Sequence, residues 1–118
     1  MTWTNFTREE FSCNCGCNAN DIKDELVDRL QVVRQLFDKP MKINSGHRCK
    51  RSNGNAGSSD TSSHLVGEAA DISCVSSKDR YELVGLLRKQ FNRIGIHKEF
   101  LHVDISDYRK ASPCLWVY

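Results

Sequence analysis

Two short motifs contain the residues of this chain that are best suited to chemistry. The first reads SSHLVGEAAD and contains His64 and Asp71; the second reads HKEFLHVD and contains Glu99 and His102. Two imidazoles and one carboxylate form a set that zinc binds while a fourth position stays open for water, and an open position indicates catalysis rather than a structural role. Because Glu99 precedes His102 by only three residues, the spacing predicts a second carboxylate close to that water.

Each of these residues also has a simpler interpretation. A single histidine is more often a surface residue than a metal ligand, Asp71 can cap a turn, and Glu99 can be a solvated charge in a hairpin. Their concentration in two short motifs favours a metal site over these separate explanations.

Strand geometry indicates how neighbouring elements would bring the ligands together. Successive side chains of a strand point to opposite faces, so His102 and Asp104 share one face of a strand. Ala69 and Asp71 share one face of another strand, and His64 lies just before it. Two adjacent strands would place the three ligands on one side of a sheet, where Asp104 is expected to orient a ligand imidazole through its far nitrogen.

Hydrophobic periodicity predicts two long helices and several short strands. Apolar residues recur at helical spacing over 21–38 and 76–91, and a polar loop is expected over 50–63. Short apolar segments indicate strands over 41–44, 68–73, 93–96, 100–105 and 114–118. This order predicts an α+β fold in which helices pack on one small antiparallel sheet, with residues 1–118 forming a single domain.

The composition argues against several classes of protein. A chain of 118 residues with 39% hydrophobic and 27% charged residues is typical of a globular domain. A net charge of +2 without a long basic run predicts no nucleic-acid partner. No stretch reaches the roughly 20 apolar residues of a membrane span. The first residues lack the apolar segment of a secretory signal, so we expect synthesis in the cytoplasm. We also expect the protein to be a monomer.

The six cysteines leave three interpretations open. Cys13, Cys15 and Cys17 alternate in one short run, whereas the others are dispersed at positions 49, 74 and 114. They can be thiols that pack a small domain, disulfides, or ligands of a second metal ion. The run differs from the C-x-x-C spacing of common zinc ribbons, and packing thiols are the favoured interpretation.

Both motifs resemble those of the M15 family of zinc peptidases, close to its D-alanyl-D-alanine carboxypeptidase branch. The stretch from Ser62 to Asp71 fits the family's S-x-H-x-x-G-x-A-x-D motif at all five fixed positions. The stretch from His97 to His102 fits its H-x-[DE]-x-x-H motif, and Arg48 stands where the family has a substrate-binding arginine. The similarity extends over nearly the whole chain and implies the fold that these peptidases share with hedgehog domains.

The resemblance implies one catalytic zinc ion held by His64, Asp71 and His102. It further implies that Glu99 is the general base, which accepts a proton from the attacking water and passes it to the leaving amine. His97, beside Glu99, would stabilise the developing oxyanion.

The resemblance also implies a substrate. Arg48 would bind the C-terminal carboxylate of a peptide that ends in D-alanine, or act in catalysis by binding a polarised carbonyl. Ser62 would either bind the substrate backbone or only cap its loop. We therefore expect hydrolysis of peptidoglycan stem peptides, of the D-Ala-D-Ala carboxypeptidase type, by a small lytic enzyme of the phage kind that reaches the cell wall after lysis. The alternatives are an L-Ala-D-Glu endopeptidase of the same family and a zinc-containing binding module without activity.

Overall fold

A computed structural model describes residues 3–57, 62–106 and 110–118 of the chain. Two 3-10 turns, Arg8–Phe11 and Ser63–Val66, accompany three α-helices and five strands. The helices are α1 (Asp24–Phe37), α2 (Lys50–Asn55) and α3 (Ser77–Leu87). The strands are β1 (Ile43–Ser45), β2 (Ala69–Ser73), β3 (Arg93–Ile96), β4 (Phe100–Asp104) and β5 (Cys114–Val117). The predicted α+β class is confirmed.

The predicted polar loop is more ordered than its composition indicates. Helix α2 fills residues 50–55, and the second 3-10 turn begins at Ser63. The helix starts after Cys49, whose sulfur accepts a hydrogen bond from the Ser52 N–H. Positions 58–61 of the predicted loop lie outside the described residues.

The sheet was predicted to be wholly antiparallel, but it is mixed. Its strand order is β1-β2-β4-β3-β5, in which only the β3–β5 pair is parallel. Strand β4 ends beside Arg93, where Asp104 is its partner, and β5 starts beside the same residue with Cys114. Because the connection from β4 to β5 returns to the same end of β3, β5 has to run in the same direction as β3.

One face of the sheet forms the hydrophobic core. Ala70 and Ile72 of β2 and Leu101 and Val103 of β4 are fully buried, in one cluster with the apolar residues of α1 and α3. These helix residues include Leu26, Leu30, Val33, Leu83 and Leu87. Since side chains alternate along a strand, the residues between the four core positions point to the opposite face, where the polar residues of β2 and β4 lie.

No helix in the described parts of the chain is long and apolar enough to cross a membrane.

Candidate metal centre

Two of the three predicted ligands are held by the register of the sheet. Asp71 of β2 and His102 of β4 are direct partners in an antiparallel pair, so their side chains lie side by side on the face away from the core. Nδ1 of His102 is 3.0 Å from Oδ1 of Asp71. The backbone ladder on both sides therefore fixes the spacing of these two groups.

The third predicted ligand is held by the second 3-10 turn. Ser62 caps this turn, because its hydroxyl accepts a hydrogen bond of 3.2 Å from the His64 N–H. The turn ends at Gly67 with φ of 73°, and a Cβ at that position would lie 2.0 Å from the backbone oxygen of Asp21. Only glycine satisfies both conditions. The turn directs Nε2 of His64 to within 3.3 Å of Oδ1 of Asp71.

The hydrogen bonds of His64 define which ring nitrogen can bind a metal. Nδ1 of His64 lies 2.6 Å from the carbonyl oxygen of Gly46, and a carbonyl can only accept, so Nδ1 carries the proton. The lone pair of the neutral ring is then on Nε2. This atom is buried and makes no hydrogen bond to any of the described residues.

His102 is oriented in the same manner by a carboxylate. Nε2 of His102 donates to Oδ2 of Asp104 at 2.7 Å, which leaves the lone pair on Nδ1, facing Asp71. The other oxygen of Asp104 accepts hydrogen bonds from Nε of Arg93 at 2.7 Å and from the Ser106 N–H at 3.2 Å. The predicted contact between Asp104 and the far nitrogen of a ligand imidazole is confirmed.

The three groups fit a bound cation. Two imidazole lone pairs and a carboxylate oxygen converge, with one ligand atom from each residue within 4.8 Å of the others. Such a group of acceptors repels itself unless positive charge lies between them. A zinc ion with ligands at about 2.0–2.1 Å in tetrahedral geometry separates them by about 3.3 Å, close to the observed spacing. His64, Asp71 and His102 are therefore suited to hold a metal ion.

The contacts between these groups also shift the pKa values of Asp71 and His102 when no metal ion is bound. Burial raises the pKa of the Asp71 carboxyl, but the contacts with His102 and His64 outweigh it and hold that pKa below its ordinary range. Burial lowers the pKa of His102, but the protonated ring can donate to both Asp104 and Asp71, which outweighs burial and raises that pKa. The site attracts positive charge, which a proton or a metal ion can supply.

Arg48 lies at the edge of this group. Its Nη2 is 3.7 Å from Oδ2 of Asp71, and its backbone N–H donates to the carbonyl oxygen of His64 at 3.0 Å. A cavity of about 930 Å³ is lined in part by Arg48 and Ser62. Three lysines, Lys23, Lys50 and Lys110, also line it, so positive charge borders a space that is open to a ligand.

Glu99 and His97 lie just before the start of β4, and neither is among the converging ligands. Both lie in the turn between β3 and β4, and Glu99 is exposed. The Glu99 N–H donates to Nδ1 of His97 at 3.0 Å, so the neutral ring carries its proton on Nε2. The His97 ring stacks on Phe100 with centroids 4.4 Å apart.

Aromatic side chains lie beside the proposed ligands, and the sequence patterns assigned them no role beyond a strand over 114–118. The Trp116 ring of β5 lies 5.3 Å from the His102 ring, and Cζ of Arg93 lies 4.9 Å from the centre of the same indole. Tyr118 contacts both Trp116 and Phe100. The alternation of Trp116 and Tyr118 along β5 was the available signal, because residues two apart share a face.

These features define a class of site: a candidate metal centre of two histidines and one aspartate on the face of a small sheet that points away from the hydrophobic core, with an arginine at its edge. The family model described as Peptidase M15 matches residues 4–104. The chain therefore belongs to the peptidase M15 family, whose members are metallopeptidases. A comparison with curated proteins gave no match.

Proposed function

We propose that this peptidase uses one zinc ion, held by His64, Asp71 and His102, to hydrolyse peptidoglycan stem peptides. The observation that carries the proposal is the convergence of two imidazole lone pairs on the Asp71 carboxylate, next to Arg48. A mixed nitrogen and oxygen set of three ligands suits zinc in a catalytic site. When bound, zinc supplies an acidified water and a Lewis acid for the scissile carbonyl.

Glu99 is the proposed general base. It accepts a proton from the attacking water and donates it to the leaving amine, so that the carboxylate is regenerated in each cycle. Its exposure supports this role, because the carboxylate is accessible to water and to a substrate. His97 carries its proton on Nε2 and can donate a hydrogen bond to the oxyanion that develops on the substrate.

Arg48 is the proposed substrate anchor. A guanidinium binds a carboxylate through two parallel hydrogen bonds, and the C-terminal carboxylate of a D-Ala-D-Ala peptide offers this geometry. Lys110 lines the same cavity and adds positive charge for the other carboxylates of a stem peptide. The Ser62 hydroxyl accepts from the His64 N–H and still has its own proton to donate to a substrate carbonyl.

These contacts favour a D-Ala-D-Ala carboxypeptidase over the two alternatives. An L-Ala-D-Glu endopeptidase cuts within the stem peptide and has less need of a clamp for the terminal carboxylate. A binding module without activity needs neither the clamp nor Glu99. We further propose that the enzyme acts as a monomer on the cell wall, as a lytic enzyme of the phage kind that is made in the cytoplasm and released by lysis.

The test is to incubate the zinc-loaded protein with purified peptidoglycan and identify the new termini by mass spectrometry. Loss of a terminal D-alanine supports the carboxypeptidase, and separation of L-alanine from D-glutamate supports the endopeptidase instead. A sample treated with chelator serves as the control, and added zinc should restore its activity. No new terminus from zinc-loaded, folded protein would contradict both peptidase assignments.

A further inference from the structure

Four of the cysteines meet at one point. Cys13, Cys15 and Cys17 lie in the loop between the first 3-10 turn and α1, and Cys49 directly precedes α2. Their sulfur atoms all lie within 4.8 Å of one another. The sulfur of Cys15 is 3.5 Å from that of Cys13 and 3.6 Å from that of Cys49. The sequence separates Cys49 from the other three by more than thirty positions, and only the fold brings it to them.

These sulfur distances are too long for disulfides and suit four ligands of one metal ion. A disulfide holds its sulfurs about 2.05 Å apart. Zinc binds four thiolates at about 2.3 Å in a tetrahedron, which places the sulfurs about 3.8 Å from one another. We propose that Cys13, Cys15, Cys17 and Cys49 hold a second, structural zinc ion. This inference is independent of the proposed catalytic centre.

Backbone donors support bound thiolates at these positions. The Cys49 N–H donates to the sulfur of Cys13 and the Ser52 N–H to the sulfur of Cys49, each at 3.4 Å. The Ala19 N–H donates to the sulfur of Cys17 at 3.5 Å. Hydrogen bonds to a charged acceptor are stronger than those to a neutral one, so this arrangement stabilises sulfurs that carry negative charge.

The path of the backbone in this loop also indicates a central ligand. The sulfurs of Cys13 and Cys15, two residues apart, are 3.5 Å from each other. The loop curls, with left-handed φ angles of 89° at Gly16 and 61° at Asn18. It closes where the Cys13 N–H donates to the carbonyl oxygen of Ala19 at 2.8 Å.

The exposure of these cysteines argues against the packing role that the sequence pattern favoured. Cys17 is exposed and Cys15 and Cys49 are only half-buried, so the four do not form a hydrophobic cluster. Cys74, in contrast, is buried and packs in the hydrophobic core. The favoured interpretation therefore suits Cys74, whereas the cluster has the composition and spacing of a structural zinc site.

The position of the second site explains what it would stabilise. Cys49 follows Arg48, and the Gly46 carbonyl that orients His64 lies three residues before Cys49. A metal ion at the cluster would tie the loop of Cys13 to this segment. It would thereby position Arg48 and the acceptor for His64 without touching the substrate.

The test is the zinc content of the full chain after purification in the presence of zinc. We expect two zinc ions per chain in the unaltered protein and one in the double variant His64→Ala, His102→Ala. The one remaining ion should be replaceable by cobalt, with the intense thiolate-to-cobalt charge-transfer absorption that histidine and carboxylate ligands do not produce. Cys17→Ser should also reduce the content from two ions to one, and Cys114→Ser is the matched control that should keep two.

The outcomes separate this proposal from the catalytic one. The second site would be overturned if the folded histidine double variant contained no zinc, or if its cobalt form showed no thiolate absorption. It would also be overturned if fewer than six thiols reacted after chelation and denaturation. The cobalt spectrum needs no cysteine variant, so a variant that fails to fold leaves this test intact. Zinc that persists in the histidine variant while no peptidoglycan is cleaved by the unaltered protein would support the cysteine site and contradict the peptidase.

Discussion

His102 and Asp71 are direct partners across strands β4 and β2, and Nδ1 of His102 lies 3.0 Å from Oδ1 of Asp71. This pairing places two ligands on rigid, hydrogen-bonded backbone, while His64 is brought to them by a turn that Gly67 ends. A centre built mostly on strands loses little geometry when the loops around it move, as pre-organised sites require.

Removal of either histidine ligand should remove the catalytic ion. We expect His64→Ala or His102→Ala to lose the zinc of this centre and all hydrolysis, because two remaining ligands do not complete a catalytic zinc site. His47→Ala is the matched control, since His47 lies outside the converging group. Zinc content and hydrolysis of a D-Ala-D-Ala peptide measure the effect. Unchanged metal content in both ligand variants would refute the proposed ligand set.

Asp104→Asn should weaken zinc binding without abolishing it. Asp104 accepts a hydrogen bond from Nε2 of His102 and holds the ring with its Nδ1 lone pair toward the proposed metal ion. Loss of a partner of this kind reduces metal affinity or activity by about 10- to 100-fold. Competition with a chelator of known affinity gives the dissociation constant. Binding as tight as in the unaltered protein would show that Asp104 only packs against His102.

Glu99→Gln should separate metal binding from turnover. The variant keeps its zinc, because Glu99 is not among the converging ligands, but kcat should fall by about 10²-fold or more if general-base catalysis has its usual size. Glu9→Gln, at another exposed glutamate, serves as the control. Turnover close to normal would move the base role to His97 or Asp104.

Arg48→Lys should selectively harm substrates with a free C-terminal carboxylate. Lysine keeps the charge but cannot form the two parallel hydrogen bonds of a guanidinium. Hydrogen bonds to charged groups contribute about 1.5–3 kcal/mol, so kcat/KM should fall by roughly 10- to 100-fold. The exposed Arg51→Lys is the control. Equal losses on peptides with free and with amidated termini would exclude a role in carboxylate binding.

The pH dependence of the metal-free protein should show the attraction of the site for positive charge. The pKa of His102 is raised when the protein is folded, so its contribution to the free energy of unfolding is present below the unfolded pKa of about 6.5 and is lost as pH rises through the folded pKa. We expect the difference in stability between the unaltered protein and His102→Gln to shrink as pH rises above about 6.5 when both are free of metal. Thermal unfolding in chelator measures it, and a difference that grows with pH would contradict the expected sign.

The sequence predicted those parts of the site that depend on local spacing. The same-face placement of His102 and Asp104 follows from the period of a strand, and both long helices follow from the spacing of apolar residues such as Leu26 and Leu30. These features require no knowledge of how distant segments meet.

The features that escaped prediction depend on contacts between distant segments. Strand β5 pairs in parallel with β3 because of where the chain leaves β4. This pairing places Trp116 beside His102. Cys49 lies beside the cysteines of the first loop only in the folded chain, because more than thirty residues separate them in sequence. The Gly46 carbonyl that fixes the tautomer of His64 belongs to backbone, which carries no signal in side-chain patterns.

Anomalous diffraction at the zinc edge, from crystals grown with zinc, would locate the ion at atomic distance from its ligands. We predict a peak within about 2.0–2.3 Å of Nε2 of His64, Nδ1 of His102 and a carboxylate oxygen of Asp71. Zinc elsewhere in the crystal, with no peak between these three side chains, would contradict it.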